Sequence, residues 1–117
     1  MMTTQQMTVE ERIAQVLAGK TVLANMHKHS GDARLIEWAK QKGLFVRIDR
    51  HSIWGNPFIV GVHGTRDEVC DKYEKEYLPN QPSLLKQIHE LKGKVLGCWC
   101  YPLRCHGLSC KQKADEA

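Results

Sequence analysis

The sequence has no apolar run near the roughly 20 residues that a membrane-spanning helix needs, which excludes a helical membrane protein. Its opening stretch, Met1-Met2-Thr3-Thr4-Gln5-Gln6, has neither the basic nor the apolar region of a signal peptide, so a cytoplasmic location is expected. Internal repeats, low-complexity tracts and linker-like segments are absent too. That excludes a solenoid or a chain of domains, and 117 residues suffice for one core but not for two. An even complement of cysteines is also missing: five thiols in a reducing compartment do not make a disulfide framework, so they are read as thiols, ligands or nucleophiles. What is there is ordinary for a globular protein, 42% hydrophobic and 26% charged, with a formal charge of +4 that favours anionic partners.

Thr8-Val9-Glu10-Glu11 has the form of a capping box, and Val9, Ile13, Val16 and Leu17 follow at helical spacing up to Gly19. This predicts a helix within an N-terminal extension over residues 1–20. Thr21 to Met26 reads as a strand. Ser30 or Asp32 can cap a second helix with Leu35, Ile36, Trp38 and Ala39 on its apolar side, and Leu44 to Ile48 reads as the next strand. The segment Trp54-Gly55-Asn56-Pro57-Phe58 cannot be regular, since Gly55 and Asn56 favour turns and Pro57 lacks an amide; a short extended run from Phe58 to Val62 should follow it. Thr65-Arg66-Asp67-Glu68 is a second capping box, opening a helix that carries Val69, Tyr73 and Tyr77 on one side and ends at Pro79. Pro82 opens another, with Leu84, Leu85, Ile88 and Leu91 as its stripe. Val95 to Trp99 is nearly continuous in its apolarity, as a strand covered on both faces is. The alternation predicts an α/β domain over 21–110, a mostly parallel sheet of three to four strands flanked by helices, with a flexible tail over 111–117.

Ligands of open parallel sheets bind beyond the carboxyl ends of the strands, where loops and helix amino ends converge. The first strand is followed by His27-Lys28-His29, the second by Asp49-Arg50-His51-Ser52, and the last by the segment Cys100 to His106, so parallel strands would gather all three on one edge. Cations from Lys28, Arg50 and Arg104, with His27, His51 and His106, suit phosphate or carboxylate, and Trp54, Trp99 and Tyr101 can stack on a base. The candidate ligand-binding residues are therefore Asn25, Lys28, Arg50, Trp54, Asn56, Cys100 and Arg104. The plainer reading makes the charges a solvated rim and the tryptophans core. The loop around Asn56 likewise is either a rigid shelf whose amide reads a ligand or a turn pinned by two buried rings.

Cys98, Cys100, Cys105 and His106 supply three thiolates and an imidazole, the ligand types of a zinc site. Their spacing is tighter than the usual knuckle, and Cys110, His27 or His29 could complete a variant set. Zinc is the one cofactor this admits. As a nucleophile, Cys100 or Cys105 would have its thiolate favoured by the positive charge of Arg104 and His106, and Cys105 with His106 are the catalytic candidates. A transient, redox-linked disulfide is a third reading. In the plainest, Cys98 is a small buried hydrophobe, Cys105 packs the loop, His106 bonds a backbone carbonyl, and Cys70 sits on or beside the apolar face of its helix.

The pattern Arg50…Trp54-Gly55-Asn56-Pro57-Phe58, Gly64-Thr65-Arg66-Asp67-Glu68-Val69 with Tyr73, Leu91-Lys92-Gly93-Lys94, and Cys98-Trp99-Cys100-x-Pro102-x-x-Cys105-His106-Gly107 resembles the family known as domain of unknown function 4326, found largely in phages and bacterial genomes. The resemblance covers Thr21 to Gly107 and implies no known activity. Two features depart from the family's pattern: a longer stretch between Asn25 and Arg50, and Leu108-Ser109-Cys110 where an acidic or small continuation is usual. A phage setting implies a role in host takeover or in countering host defence.

Three functions are expected to compete. The first is recognition of an anionic small molecule or nucleic acid, a nucleotide-like ligand, at the basic and aromatic edge. The second is a Cys/His- or metal-dependent enzyme acting on nucleotides or nucleobases. The third is a zinc-stapled inhibitor that binds a host protein.

Overall fold

The computed structural model describes residues 7–117. The front of the expected 1–20 extension, Met1 to Gln6, lies outside the described residues. Helix α1 (Val9–Leu17) begins at its capping box: the Thr8 hydroxyl accepts from the Glu11 amide at 3.0 Å and the Glu11 carboxylate accepts from the Thr8 amide at 2.9 Å. Three strands, β1 (Val22–Asn25), β2 (Phe45–Arg47) and β3 (Val95–Cys98), form a sheet in the order β1-β3-β2, with both pairings parallel. Parallel neighbours need crossovers, and helices supply them: α2 (Ala33–Gln41) lies between β1 and β2, and α3 (Arg66–Lys72) and α4 (Pro82–Gln87) between β2 and β3.

Side chains alternate across the sheet, as strand geometry requires. Val22, Ala24 and Val95 meet Val16 of α1 and Leu35 and Ala39 of α2 on one face. Leu23, Leu96 and Cys98 meet Tyr73, Leu84 and Leu91 on the other. Burying each such aliphatic side chain contributes about 1.5–3 kcal/mol, and β3, in the centre, is buried throughout. The second capping box is also present, at Thr65 and Glu68. The helix it opens runs past α3 as a π-helical turn, Tyr73–Tyr77, and a 3-10 turn, Leu78–Asn80, that contains Pro79; this brings Tyr73 and Leu78 into the core.

Two expectations are corrected. Residues 111–117 are not a loose tail: helix α5 (Gly107–Glu116) runs through them, burying Ala114 against the core. Asp115 there accepts from the Thr21 amide at 2.9 Å, and Lys92 donates to the Ala117 carbonyl. The run Phe58 to Val62 is not a strand. Gly61 and Gly64 have φ of 87° and 142°, the region that favours glycine, and reverse the chain; the Val62 and His63 amides both donate to the Ile59 carbonyl.

Asp32 occupies the cap position of α2 but makes no capping bond, because its carboxylate is engaged elsewhere. Its oxygens accept from Arg12 at 2.6 and 3.0 Å, and one also accepts from the Asn25 amide at 2.8 Å. This pair is almost fully enclosed, with each side chain 3% exposed. Removing one partner of a buried pair strands the other charge, so Asp32→Asn should lower unfolding stability by about 3–5 kcal/mol. Glu10→Gln, which breaks the exposed Glu10–Arg34 pair, should change it far less, because solvent already screens that pair. Urea unfolding of both variants measures the contrast, and equal effects would refute it.

Candidate functional site

Because β2 and β3 are parallel neighbours, the residues after Arg47 and after Cys98 emerge side by side. Between these two exits and the start of α3 lies a cavity of about 320 Å³. Cys98, Cys105 and His106 line it from the sheet side, Asp49, Arg50 and His51 from the exit of β2, and Arg66, Val69 and Cys70 from α3. Trp99, 44% exposed, stands at its rim with the His27 ring edge-on at 4.8 Å.

Asp49 is the polar centre of this cavity, with its side chain only 4% exposed. One oxygen, Oδ2, accepts from Arg47 at 2.9 and 2.6 Å and from the Trp99 indole N–H at 2.9 Å. The other, Oδ1, is buried and has no partner among the described residues. The Arg47 bonds, against the opposing effect of burial and with help from Trp99, hold the carboxyl below the usual carboxylate range, so it is an anion at neutral pH.

The loop after β2 is built to close one wall. Trp54 is buried and its carbonyl accepts from the Tyr73 hydroxyl at 2.8 Å. Gly55 packs so tightly on the exit of β2 that a side-chain carbon there would lie 2.7 Å from Arg50 Cα. Asn56 staples the loop to α3: its amide donates to the Val69 carbonyl at 3.1 Å and its oxygen accepts from the Phe58 amide at 2.9 Å.

Among the thiols, the Cys105 S–H donates to Cys98 Sγ at 3.7 Å. That donation, outweighing burial and joined by the Tyr101 and Cys100 amides, lowers the Cys98 pKa and raises that of Cys105. His106 Nε2 lies 2.6 Å from the Ile48 carbonyl, which can only accept, so the proton is on Nε2 and Nδ1 is the acceptor. Burial lowers the His106 pKa and keeps the ring neutral. Cys110 sits against the Tyr73 hydroxyl at 3.3 Å, pushed up to about 11 by burial, and burial raises Cys70 as well. Among the described residues, no group of three or more His, Cys, Asp or Glu side chains is arranged to hold a metal ion.

The structure thus brings together Arg50, Asn56, Cys98, Cys100, Cys105 and His106. It does not bring in four other candidates. Lys28 follows β1, which lies across β3 from β2, and so stays outside the cavity. Asn25 is held by backbone groups, donating to Tyr101 O at 2.6 Å and accepting from the His27 amide at 2.8 Å. Trp54 is core. Arg104 is paired with Asp67 at 3.1 Å and Asp71 at 2.7 Å, and donates to the Asp67 carbonyl. Asn56 reaches the cavity, but as a staple. Two residues that sequence reasoning passed over take their place: Asp49, whose signal was its position directly at the exit of a strand, and Arg66, which reads as a mere member of a capping box.

Fold and site together define a small α/β protein with a ligand-sized cleft at the carboxyl edge of a parallel sheet. No helix among the described residues is long and apolar enough to cross a membrane. The chain belongs to the family described as Domain of unknown function (DUF4326), whose model matches residues 33–116. It is 39% identical over 64 residues to the uncharacterized protein R718 of Acanthamoeba polyphaga mimivirus, covering 48% of each chain. It is 31% identical over 65 residues to an uncharacterized 12.4 kDa protein in the nrdA-td intergenic region of Enterobacteria phage T4, covering 53% of this chain and 59% of that one. The chain thus spans about half the length of the curated relatives it matches. No solved structure matches it.

The Asp49 anchor has a pH signature. A depressed folded-state pKa contributes stability that is complete above the unfolded value, about 3.9, and is lost as pH falls through the folded value. Arg47→Ala removes the leading cause of the depression, so the acid loss of stability below about pH 4 should become shallower than in the parent. Urea unfolding at stepped pH reads this directly, and an unchanged acid limb would show that Arg47 does not set the Asp49 charge.

Proposed function

We propose that the protein recognises a mononucleotide-class anion in the cleft between the exits of β2 and β3. One observation carries the reading: Asp49, buried and lining the cleft, keeps an acceptor oxygen that no donor among the described residues satisfies. A buried acceptor without a partner costs about 1–3 kcal/mol, and a ligand N–H or O–H that reaches it as the cleft wall shifts removes that penalty. The hydroxyls of a ribose and the amino or imino groups of a base are donors of this kind.

The surroundings suit the rest of such a ligand. Arg50 and Arg66 have no carboxylate partner among the described residues, so their charge is available to a phosphate, which a guanidinium can bind through two oxygens. Trp99 offers a partly exposed ring at the rim for stacking. A volume near 320 Å³ is at the lower end of small-molecule sites and fits one nucleotide better than an extended strand. A carboxylate beside two arginines also discriminates, since it repels a second anionic group placed near it.

Calorimetric titration at low salt with a nucleoside 5′-monophosphate, the bare nucleoside, inorganic phosphate and a short oligonucleotide tests this. The monophosphate should bind more tightly than either half alone, and tighter than the oligonucleotide per site. Charge-assisted hydrogen bonds are worth about 1.5–3 kcal/mol, so Arg50→Ala with Arg66→Ala should weaken binding at least about tenfold. Asp49→Asn, which keeps the shape and removes an acceptor, should weaken nucleoside and nucleotide but not phosphate. No heat with any of the four would end the reading.

A further inference from the structure

We infer that Cys98 and Cys105 form a reversible dithiol–disulfide couple lining the cleft, a redox site separate from ligand recognition and not dependent on it. Their sulfurs, 3.7 Å apart, make the one sulfur–sulfur hydrogen bond among the described residues. Forming a bond of about 2.05 Å takes a closure of under about 2 Å. Both residues are nearly enclosed, at 1% and 3% exposure, and both line the cleft, which is the side from which a small oxidant would approach them.

The pair is also asymmetric in the way such couples are. Cys98, at the end of β3, receives the S–H of Cys105 and the amides of Cys100 and Tyr101, donors that favour a thiolate. Cys105 carries the proton. Cys98 is therefore the attacking sulfur and Cys105 the resolving one. With a peroxide as oxidant, the Cys98 thiolate attacks one peroxide oxygen, the O–O bond breaks, and the leaving oxygen takes a proton, leaving a sulfenic acid. The Cys105 sulfur then attacks the Cys98 sulfur, the S–O bond breaks, and water leaves with the proton that Cys105 gives up. Two thiols lose two electrons in all, and the peroxide gains them. A dithiol reductant reverses the step.

The same 3.7 Å also suits two thiolates on one zinc ion at about 2.3 Å each. A closed zinc site needs further ligands, and no group of three or more His, Cys, Asp or Glu side chains is arranged to supply them among the described residues. Of the other thiols, Cys110 lies in the core against Tyr73, Cys70 lines the cleft with its proton held by burial, and Cys100, partly exposed at the cleft, has no sulfur within hydrogen-bonding distance among the described residues, so a disulfide through it is the rival product the peptide map distinguishes.

The test uses the full chain, reduced and desalted without nucleotide, treated with one equivalent of hydrogen peroxide, then alkylated and mapped by mass spectrometry. The expected product lacks two hydrogens, contains a Cys98–Cys105 linked peptide, and is restored by dithiothreitol. Cys105→Ser should instead trap the Cys98 sulfenic acid, captured by dimedone, and Cys110→Ser should oxidise as the parent does. The parent's peptide map decides the matter even where Cys105→Ser fails to fold. Cys98 and Cys105 both still alkylatable after peroxide, a different linked pair, or a stoichiometric zinc ion that must be chelated before the pair reacts would each overturn the inference. Because the readout is covalent and ligand-free, its failure and that of nucleotide binding are told apart.

Discussion

The burial of β3 between two parallel neighbours is the constraint on which the rest of this molecule depends. Every residue of that strand is enclosed, with Leu96 and Cys98 facing one helical layer and Val95 the other. A strand in that position must be paired on both edges and covered on both faces, which consumes α1 and α2 on one side and α3 to α5 on the other. Since both pairings are parallel, the carboxyl ends of β2 and β3 coincide, and whatever follows them shares one place. The cleft is a geometric consequence of the sheet order.

What fills that place is less settled energetically than the core. Among the described residues Asp49 is nearly enclosed yet bonded through one oxygen only, with three donor bonds on Oδ2 and none on Oδ1. Contrast Asp32, at the mouth of β1, where Arg12 and the Asn25 amide engage both oxygens. Two buried carboxylates in one small protein therefore have opposite characters: one is fully satisfied and holds layers together, and the other is incomplete in the protein's own terms. Local incompleteness that a well-packed fold keeps is the kind of feature that belongs to binding sites.

Local chemistry was readable in the sequence, and competition for partners was not. Both capping boxes form because each needs only a hydroxyl, a carboxylate and the four residues that carry them. The strand order of chemistry, with cysteines and histidine at the end of β3, follows from alternation of elements. Asp32 looks like a cap and is not one, because Arg12, twenty residues earlier, outbids the α2 amides. Arg104 and Arg66 look alike in a string of letters; the structure separates them, since Asp67 and Asp71, one helical turn apart on α3, neutralise Arg104 and leave Arg66 to the cleft. Helix α5 is not legible as a stripe because its apolar contribution is thin: Cys110 and Ala114 are its buried cysteine and alanine, and neither stands out among Lys111, Lys113, Asp115 and Glu116.

The family match sharpens which part of the chain carries the site. It spans residues 33–116, and every residue that lines the cleft, from Asp49 to His106, lies inside it. Helix α1 and strand β1 lie before it, and they supply Val16, Val22 and Ala24 to the far face of the sheet. The matched region therefore includes β2, β3 and the helices on the cleft side, while the preceding residues complete a layer that does not touch the cleft. His27 is where the two meet, edge-on to Trp99, whose indole in turn bonds Asp49. Through that contact the turn after β1 bears on the orientation of the rim tryptophan, and so on the carboxylate at the centre of the site, without lining the cleft itself.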